Sequence, residues 1–159
     1  MIRNKKSLAR DEGGASIIEM ALMLPILSSL LIGLVDISRA YSAKLQLEQA
    51  AYRAIENVQQ YNTTESTYNT LKSEAATAAN SSGFSGVTAS DVTVDYWLEC
   101  NGTRQSSYDT TCSSGQAYAR FISVDVSAKF TPLFATNKWP GSNSDGTFTL
   151  HGQAGLRTQ

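Results

Sequence analysis

The sequence predicts an α+β protein in which a long N-terminal membrane-spanning helix continues into a small extracytoplasmic domain. That domain is expected to hold a second helix and a three-stranded antiparallel sheet. Three observations predict this: an apolar stretch with a single carboxylate, Glu19, then a helical three-to-four-residue period, and beyond residue 83 a period of two. The predicted boundaries are a leader of residues 1–14, a transmembrane helix of 15–36 and a domain of 37–159.

A short basic leader precedes the apolar stretch. Between Ile17 and Val35 the only charged residue is Glu19, and at about 1.5 Å per residue this segment is roughly 28 Å long, close to the ~30 Å core of a bilayer. By the positive-inside rule the leader stays in the cytoplasm and the rest of the chain lies across the membrane. The charged residues of the leader are Arg3, Lys5, Lys6, Arg10, Asp11 and Glu12.

A membrane span explains the apolar residues but does not explain Glu19. A charged carboxylate costs roughly 2.5–3.5 kcal/mol at the middle of a bilayer. We therefore expect Glu19 to have a functional partner. Pro25 lies in the same segment, and its missing N–H and its ring predict a kink.

A cleaved secretory signal is the alternative interpretation of this N-terminus. Ser38-Arg39-Ala40 would serve as a weak cleavage site. The apolar run is long for a signal, Asp36 and Arg39 crowd the site, and the helical pattern continues past it.

Two helices are predicted beyond the span. The first covers residues 37–61, and its apolar residues recur at three-, four- and seven-residue intervals on one face. The second covers residues 65–79 and is capped by Thr64. The apolar residues are Ala40, Leu47, Ala51, Ala54, Val58 and Tyr61 in the first helix, and Leu71, Ala75, Ala78 and Ala79 in the second.

Strict alternation of apolar and polar residues predicts three strands at about 91–99, 118–130 and 147–157. One face of each strand is apolar and the other is polar, which favours an antiparallel sheet. The apolar face is expected to pack on the amphipathic helix.

Composition excludes several classes of function. A net charge of −1 does not indicate a nucleic-acid surface. The one histidine, His151, lies in a predicted strand, and neither a nucleophile elbow nor a phosphate-binding glycine loop is present. We expect no enzyme activity, no cofactor and no metal, since two cysteines and one histidine lack the spacing of a zinc site.

Cys100 and Cys112 flank a short polar loop. A disulfide here would contribute about 3 kcal/mol in the chain-entropy model and would persist outside the cytoplasm. The alternative is two unrelated free thiols. The extracytoplasmic topology favours the disulfide.

Gly14 followed by Ala15-Ser16-Ile17-Ile18-Glu19 has the form of a prepilin processing site. Together with the segment Met20–Leu27, it resembles the TadE/TadG-like family, the minor pseudopilins of the tight-adherence (Tad) pilus. The segments Phe130–Phe134 and Phe148–Arg157 resemble the extracytoplasmic part of that family.

The resemblance implies cleavage between Gly14 and Ala15 by a prepilin peptidase and a place among the Tad pilins, pseudopilins and inner-membrane assembly platform. The chain would sit in the bacterial inner membrane as a single-pass protein, with its C-terminal domain in the periplasm or in an extracellular pilus. It would support pilus biogenesis, surface adhesion and biofilm formation. The carboxylate of Glu19 would meet the new amine of Ala15 on another subunit.

Two other functions remain open at this stage. A pseudopilin of a type II secretion or type IV pilus system shares the glycine and glutamate pattern, although such subunits usually carry an aromatic residue where this chain has Ala15. A membrane-anchored periplasmic binding module unrelated to filaments would keep its N-terminus intact.

Overall fold

The computed structural model describes residues 12–60, 65–133 and 139–158. Two α-helices, a 3₁₀ turn at Ala89–Asp91 and four β-strands make up this part of the chain. The chain divides into two compact units between Arg39 and Ala40.

The first helix, α1 (Glu12–Gln60), runs without a break through Pro25. It begins inside the predicted leader, so that Gly14 and Ala15 are helical. The helix thus continues past the predicted span as far as Gln60, and its course outward from a membrane stays a prediction. The kink at Pro25 stays a prediction, and residues 1–11 of the leader and Tyr61 lie outside the described residues.

The second helix, α2 (Glu65–Ser81), is two residues longer than predicted. Leu71, Ala75 and Ala79 are fully or almost fully buried, as the spacing indicates. The predicted cap, Thr64, lies outside the described residues. At the other end, the Asn80 Nδ2 donates to the carbonyl oxygens of Ala76 (2.9 Å) and Val87 (2.7 Å), and its Oδ1 accepts from the Val87 N–H.

The sheet contains four strands rather than the predicted three. They are β1 (Val92–Cys100), β2 (Thr103–Arg104), β3 (Tyr118–Phe130) and β4 (Phe148–Arg157), in the antiparallel order β2-β1-β3-β4. The additional strand, β2, has two residues, which is too short to show a period of two. It forms because Asn101 (φ 49°) and Gly102 (φ 78°) both adopt the left-handed conformation of a tight hairpin turn.

The register places the apolar residues of the three long strands on one face. Val94 pairs with Val124, which pairs with Ala154, and the neighbouring rows follow the same alternation. This face and the buried sides of α1 and α2 share one core. The fully buried large side chains in it include Leu47, Leu71, Ile122, Val124 and Val126.

α1 approaches the sheet very closely at Gly152. A Cβ built on this glycine would overlap the backbone carbon of Leu47, the backbone nitrogen of Glu48 and the Leu47 Cβ. Any side chain at position 152 would therefore push α1 away from β4. This glycine sets the distance at which the helix and the sheet pack.

Candidate processing and assembly site

The predicted processing bond joins Gly14 to Ala15 within the first turn of α1. A Cβ built on Gly14 would have no heavy atom of the described residues within 4 Å. The described part of the fold therefore does not require glycine at this position. Glycine is also a poor helix former, by about 1 kcal/mol relative to alanine, so this turn is easier to unwind than one built from other residues.

Glu19 lies on an exposed, otherwise apolar part of α1. Its neighbours Ile18, Met20 and Leu22 are 63–69% exposed. Within residues 12–60, 65–133 and 139–158, Glu19 forms no ion pair with another side chain. The chain itself, as far as it is described, offers this carboxylate no counter-ion.

The helix carries a candidate membrane span within Ser16–Glu56, judged by its length and composition. Two serines in this part of α1 donate to backbone carbonyls of the preceding turn. Ser28 Oγ donates to the Leu24 oxygen and Ser29 Oγ to the Ile26 oxygen, both at 2.8 Å. Their hydroxyls are thus paired within the helix, as hydrocarbon surroundings require.

Beyond Arg39, the two sides of α1 differ in the burial of their side chains. Leu47, Ala50, Ala51 and Ala54 are buried in the core. On the other side, large side chains stay exposed. They are Tyr41 at 63%, Leu45 at 39% and Tyr52 at 56%.

Cys100 and Cys112 are joined in a disulfide, with their Cα atoms 5.6 Å apart, which is the pairing that the sequence predicts. The loop that it closes passes around the edge of β1. On the outer face of the sheet, Arg104 forms a bidentate ion pair with Asp95 (2.8 and 3.2 Å) and lies 4.8 Å from the ring centroid of Trp97.

The same loop then reaches the apolar face of the sheet. Its Gln105 N–H donates to the Leu98 oxygen at 2.8 Å, and Tyr108 packs edge-to-face on Tyr96 with ring centroids 5.4 Å apart. The Arg120 guanidinium lies 5.3 Å from the Tyr108 ring. The disulfide therefore holds a loop that is anchored on both faces of the sheet.

A second polar anchor holds the connection between β3 and β4. The Asp145 carboxylate accepts from Lys129 Nζ (2.7 Å) and from the hydroxyl (2.6 Å) and N–H (3.1 Å) of Thr147. Lys129 and Thr147 together hold the pKa of Asp145 well below its usual range. The hydrogen bonds from Thr88 likewise lower the pKa of Asp91 in the 3₁₀ turn.

His151 lies on the polar face of β4. Its Nδ1 is 2.9 Å from Asp125 Oδ1, and the other oxygen of Asp125 accepts from Gln153 Nε2. Both side chains of the pair are partly exposed, at 55% for His151 and 26% for Asp125. The contact links β3 and β4 across the solvent-facing side of the sheet.

A cavity of about 320 Å³ lies beside the 3₁₀ turn and the paired ends of β3 and β4. Its two charged groups, Asp91 and Lys129, are engaged with Thr88 and Asp145. No group of three or more metal-ligating side chains is present in the described ranges 12–60, 65–133 and 139–158. The lining residues are Ser85, Gly86, Val87, Asp91, Ser127, Ala128, Lys129 and Thr149.

The comparison with known families matches the part of α1 that carries the predicted processing site. The family model of TadE-like proteins covers residues 14–55. This segment is TadE-like. The resemblance seen in the sequence is thereby confirmed for residues 14–55, and the match indicates a protein related to the Tad pilus. No curated protein and no solved structure matches the chain.

The TadE-like segment, residues 14–55, contains Gly14, Ala15, Glu19 and Pro25, and it ends where α1 packs on the sheet. The disulfide, α2 and the sheet lie outside it. Sequence reasoning missed the two-faced anchoring by Arg104 and Tyr108. The turn signal Asn101-Gly102 was present in the sequence and marks the hairpin that presents Arg104.

Proposed function

We propose that this chain is a minor pseudopilin or assembly factor of a Tad-type pilus. The observation that carries the proposal is the TadE-like match, which begins at Gly14 and contains Glu19, the carboxylate that has no counter-ion among the described residues. A prepilin peptidase cleaves the chain between Gly14 and Ala15. The protein is then a substrate and a building block rather than an enzyme.

Cleavage supplies a counter-ion for the Glu19 carboxylate in the span. It creates an amine on Ala15 near the bilayer, and the Glu19 carboxylate of another subunit is a counter-ion for it. Because an isolated charge in hydrocarbon is costly, pairing the two groups favours the incorporation of subunits in register. The apolar side chains around Glu19 contact lipid before assembly and other subunits afterwards.

The remaining features fit this location. The basic leader keeps the N-terminus in the cytoplasm, and the disulfide between Cys100 and Cys112 suits a periplasmic domain. The partners are the prepilin peptidase, other Tad pilins and pseudopilins, the inner-membrane assembly platform and membrane lipid. The protein supports pilus biogenesis, surface adhesion and biofilm formation.

Processing is tested by replacing Gly14 with alanine or leucine in cells that contain the peptidase. We expect the unprocessed form to accumulate on immunoblots. A matched control is Gly33→Ala, because a Cβ at Gly33 also has no atom of the described chain within 4 Å. Since neither change disturbs packing within the chain, normal processing of the Gly14 variants would count against a prepilin cleavage site.

Assembly is tested by Glu19→Gln, which keeps the size of the side chain and removes its charge. We expect normal cleavage and reduced piliation, measured by electron microscopy and by recovery of sheared pili. Leu22→Ala is the control for a change in an exposed apolar side chain of the same segment. Normal piliation with Glu19→Gln would refute the pairing of the carboxylate with an amine.

A further inference from the structure

A stripe of large side chains on α1 is uncovered beyond the membrane segment. Tyr41, Leu45 and Tyr52 are 63%, 39% and 56% exposed and follow spacings of four and seven residues, so they share one face. Lys44 and Glu48 lie on the same side of the helix. We call these five residues the outer stripe.

The two charged residues of the outer stripe interact only weakly with each other within one chain. Lys44 Nζ lies 3.8 Å from Glu48 Oε1, and the two side chains are 54% and 34% exposed. An exposed pair at this spacing contributes little to stability. Both groups are therefore accessible to a neighbouring molecule.

The outer stripe repeats a spacing that the processing site also has. Lys44 precedes Glu48 by four residues, and Ala15 precedes Glu19 by four residues. In each pair the positive group precedes the negative group in the sequence. The positive groups are the Lys44 ammonium and the Ala15 amine that cleavage produces. The same axial displacement therefore satisfies both pairs between two parallel helices.

We propose that the outer stripe is the docking surface for α1 of a second copy of this chain, parallel to the first and shifted by four residues along the helix axis. The inference rests on the proposed function, because it uses the amine that processing creates. Four residues correspond to about 6 Å. This shift sets Lys44 of one copy level with Glu48 of the next.

The four-residue shift also matches the apolar members of the stripe. It sets Tyr41 of one copy beside Leu45 of the next, and Glu48 beside Tyr52, so no charge faces a like charge. Without a shift, Lys44 would lie level with Lys44 and Glu48 with Glu48, which is repulsive.

A seven-residue shift keeps the same faces together but loses both ion pairs. Ala15 would then meet Leu22, and Lys44 would meet Ala51, which is buried in its own core. Four residues is therefore the shift that satisfies the amine of Ala15 and the charges of the stripe together.

Crosslinking of full-length chains in piliated cells tests the register. Two differently tagged chains are co-expressed, one with Tyr41→Cys and the other with Leu45→Cys, and a short bismaleimide is added. We expect the mixed dimer from this pair. The matched control combines Tyr41→Cys with Tyr52→Cys, a position that is more exposed than Leu45 and lies on the same face, and no mixed dimer above background is expected.

Crosslinks at other positions would overturn the proposal. Dimers between two Tyr41→Cys chains would indicate an unshifted pair, and a strong product with Tyr52→Cys would indicate a longer shift. The absence of every crosslink in cells that process the chain would show that another protein covers the stripe.

Charge reversal separates contacts between chains from the contact within one chain. In the crosslinking background, Lys44→Glu or Glu48→Lys in both chains is expected to reduce the mixed dimer by about fivefold, from the loss and inversion of an exposed ion pair. Lys44→Glu only in the chain carrying Tyr41→Cys sets two glutamates level and should lower the dimer. The same change only in the chain carrying Leu45→Cys has the same effect within its own chain, but it leaves the pair between chains intact and should keep the dimer. Adding Glu48→Lys to the Leu45→Cys chain of the first combination brings opposite charges level again and should restore the dimer. Equal yields from Lys44→Glu in either chain alone would refute the shift.

The mature N-terminus is read from the same samples. Chains that begin at Ala15 but crosslink in another register refute the docking surface and leave the proposed function intact. Chains that still begin at Met1 refute the proposed function, and the shift with it, since the amine of Ala15 would not exist.

Discussion

Replacing Gly152 with alanine is expected to destabilise the folded unit that begins at Ala40. The new Cβ would overlap the backbone of Leu47 and Glu48 as well as the Leu47 Cβ, and a helix backbone cannot rotate away as a side chain can. α1 therefore has to withdraw from β4, and Leu47, which is fully buried, loses part of its packing.

The expected loss of stability follows from two opposing contributions to the free energy of unfolding. Overpacking a core of this kind costs typically 1–3 kcal/mol, and contact with backbone places this site towards the upper end. Restricting the unfolded chain by a Gly-to-Ala change returns about 0.4–1 kcal/mol. We expect a net loss of about 2 kcal/mol, which lowers Tm by roughly 6–10 °C for a unit of this size.

Gly155→Ala is the matched control on the same strand. A Cβ there would lie 3.6 Å from the Ile122 oxygen and 3.8 Å from the Ser123 Cβ, which are ordinary contacts. Thermal unfolding of the full chain in detergent, followed by near-ultraviolet circular dichroism, should show Gly155→Ala at or slightly above the unsubstituted protein. Equal Tm values for the two variants would refute the close approach of α1 at Gly152.

Three further outcomes are expected. Replacing Cys100 and Cys112 with serine should lower the free energy of unfolding by about 3 kcal/mol and make the loop between them sensitive to limited proteolysis; unchanged proteolysis would mean that the loop is held without the disulfide. Asn80→Ala should lower the free energy of unfolding by about 2 kcal/mol, because it leaves the N–H and carbonyl of buried Val87 without their side-chain partner. A loss below about 0.5 kcal/mol would mean that other groups replace the Asn80 side chain. The folded-state pKa of Asp145 is lowered, so its contribution to stability is present above the usual carboxyl pKa near 3.9 and is lost as the pH falls through the folded-state value. Asp145→Asn should flatten this part of the curve of Tm against pH. An unaltered curve would contradict the stabilising role of the ionised Asp145 carboxylate.

Much of the fold could be predicted because burial imposes a period on the sequence. The inner residues of β3, from Ile122 to Ala128, alternate with polar ones along the whole strand, and the structure buries each of them. The same logic located α2 through Leu71, Ala75 and Ala79. The two residues of β2 were missed because a pair of residues carries no period, although Asn101-Gly102 marks the turn before them.

Close contacts between distant parts of the chain could not be predicted. A glycine within a strand pattern shows that something approaches closely, but it does not show that Leu47 and Glu48 of α1 are the neighbours of Gly152. The anchoring of the disulfide loop by Arg104 and Tyr108 likewise depends on which face the chain reaches as it passes the edge of β1. Such contacts follow from the three-dimensional path and leave no local pattern.

The residues of the candidate site could be picked out from the sequence for a different reason than the elements of the fold. Gly14 and Glu19 stand out in the sequence because their chemistry conflicts with their surroundings, and the TadE-like match covers both. The structure shows that Gly14 has no packing role and that Glu19 has no ion-pair partner within residues 12–60, 65–133 and 139–158. In our proposal the reason for each residue lies in another molecule, the peptidase for Gly14 and a neighbouring subunit for Glu19.

Mass spectrometry of the protein purified from its own cells tests the central claim most directly, because it reads the mature N-terminus without any substitution. Processing as a pseudopilin predicts a chain that begins at Ala15. A chain that retains Met1, or one that begins beyond Ala40 after removal of a secretory signal, would contradict it.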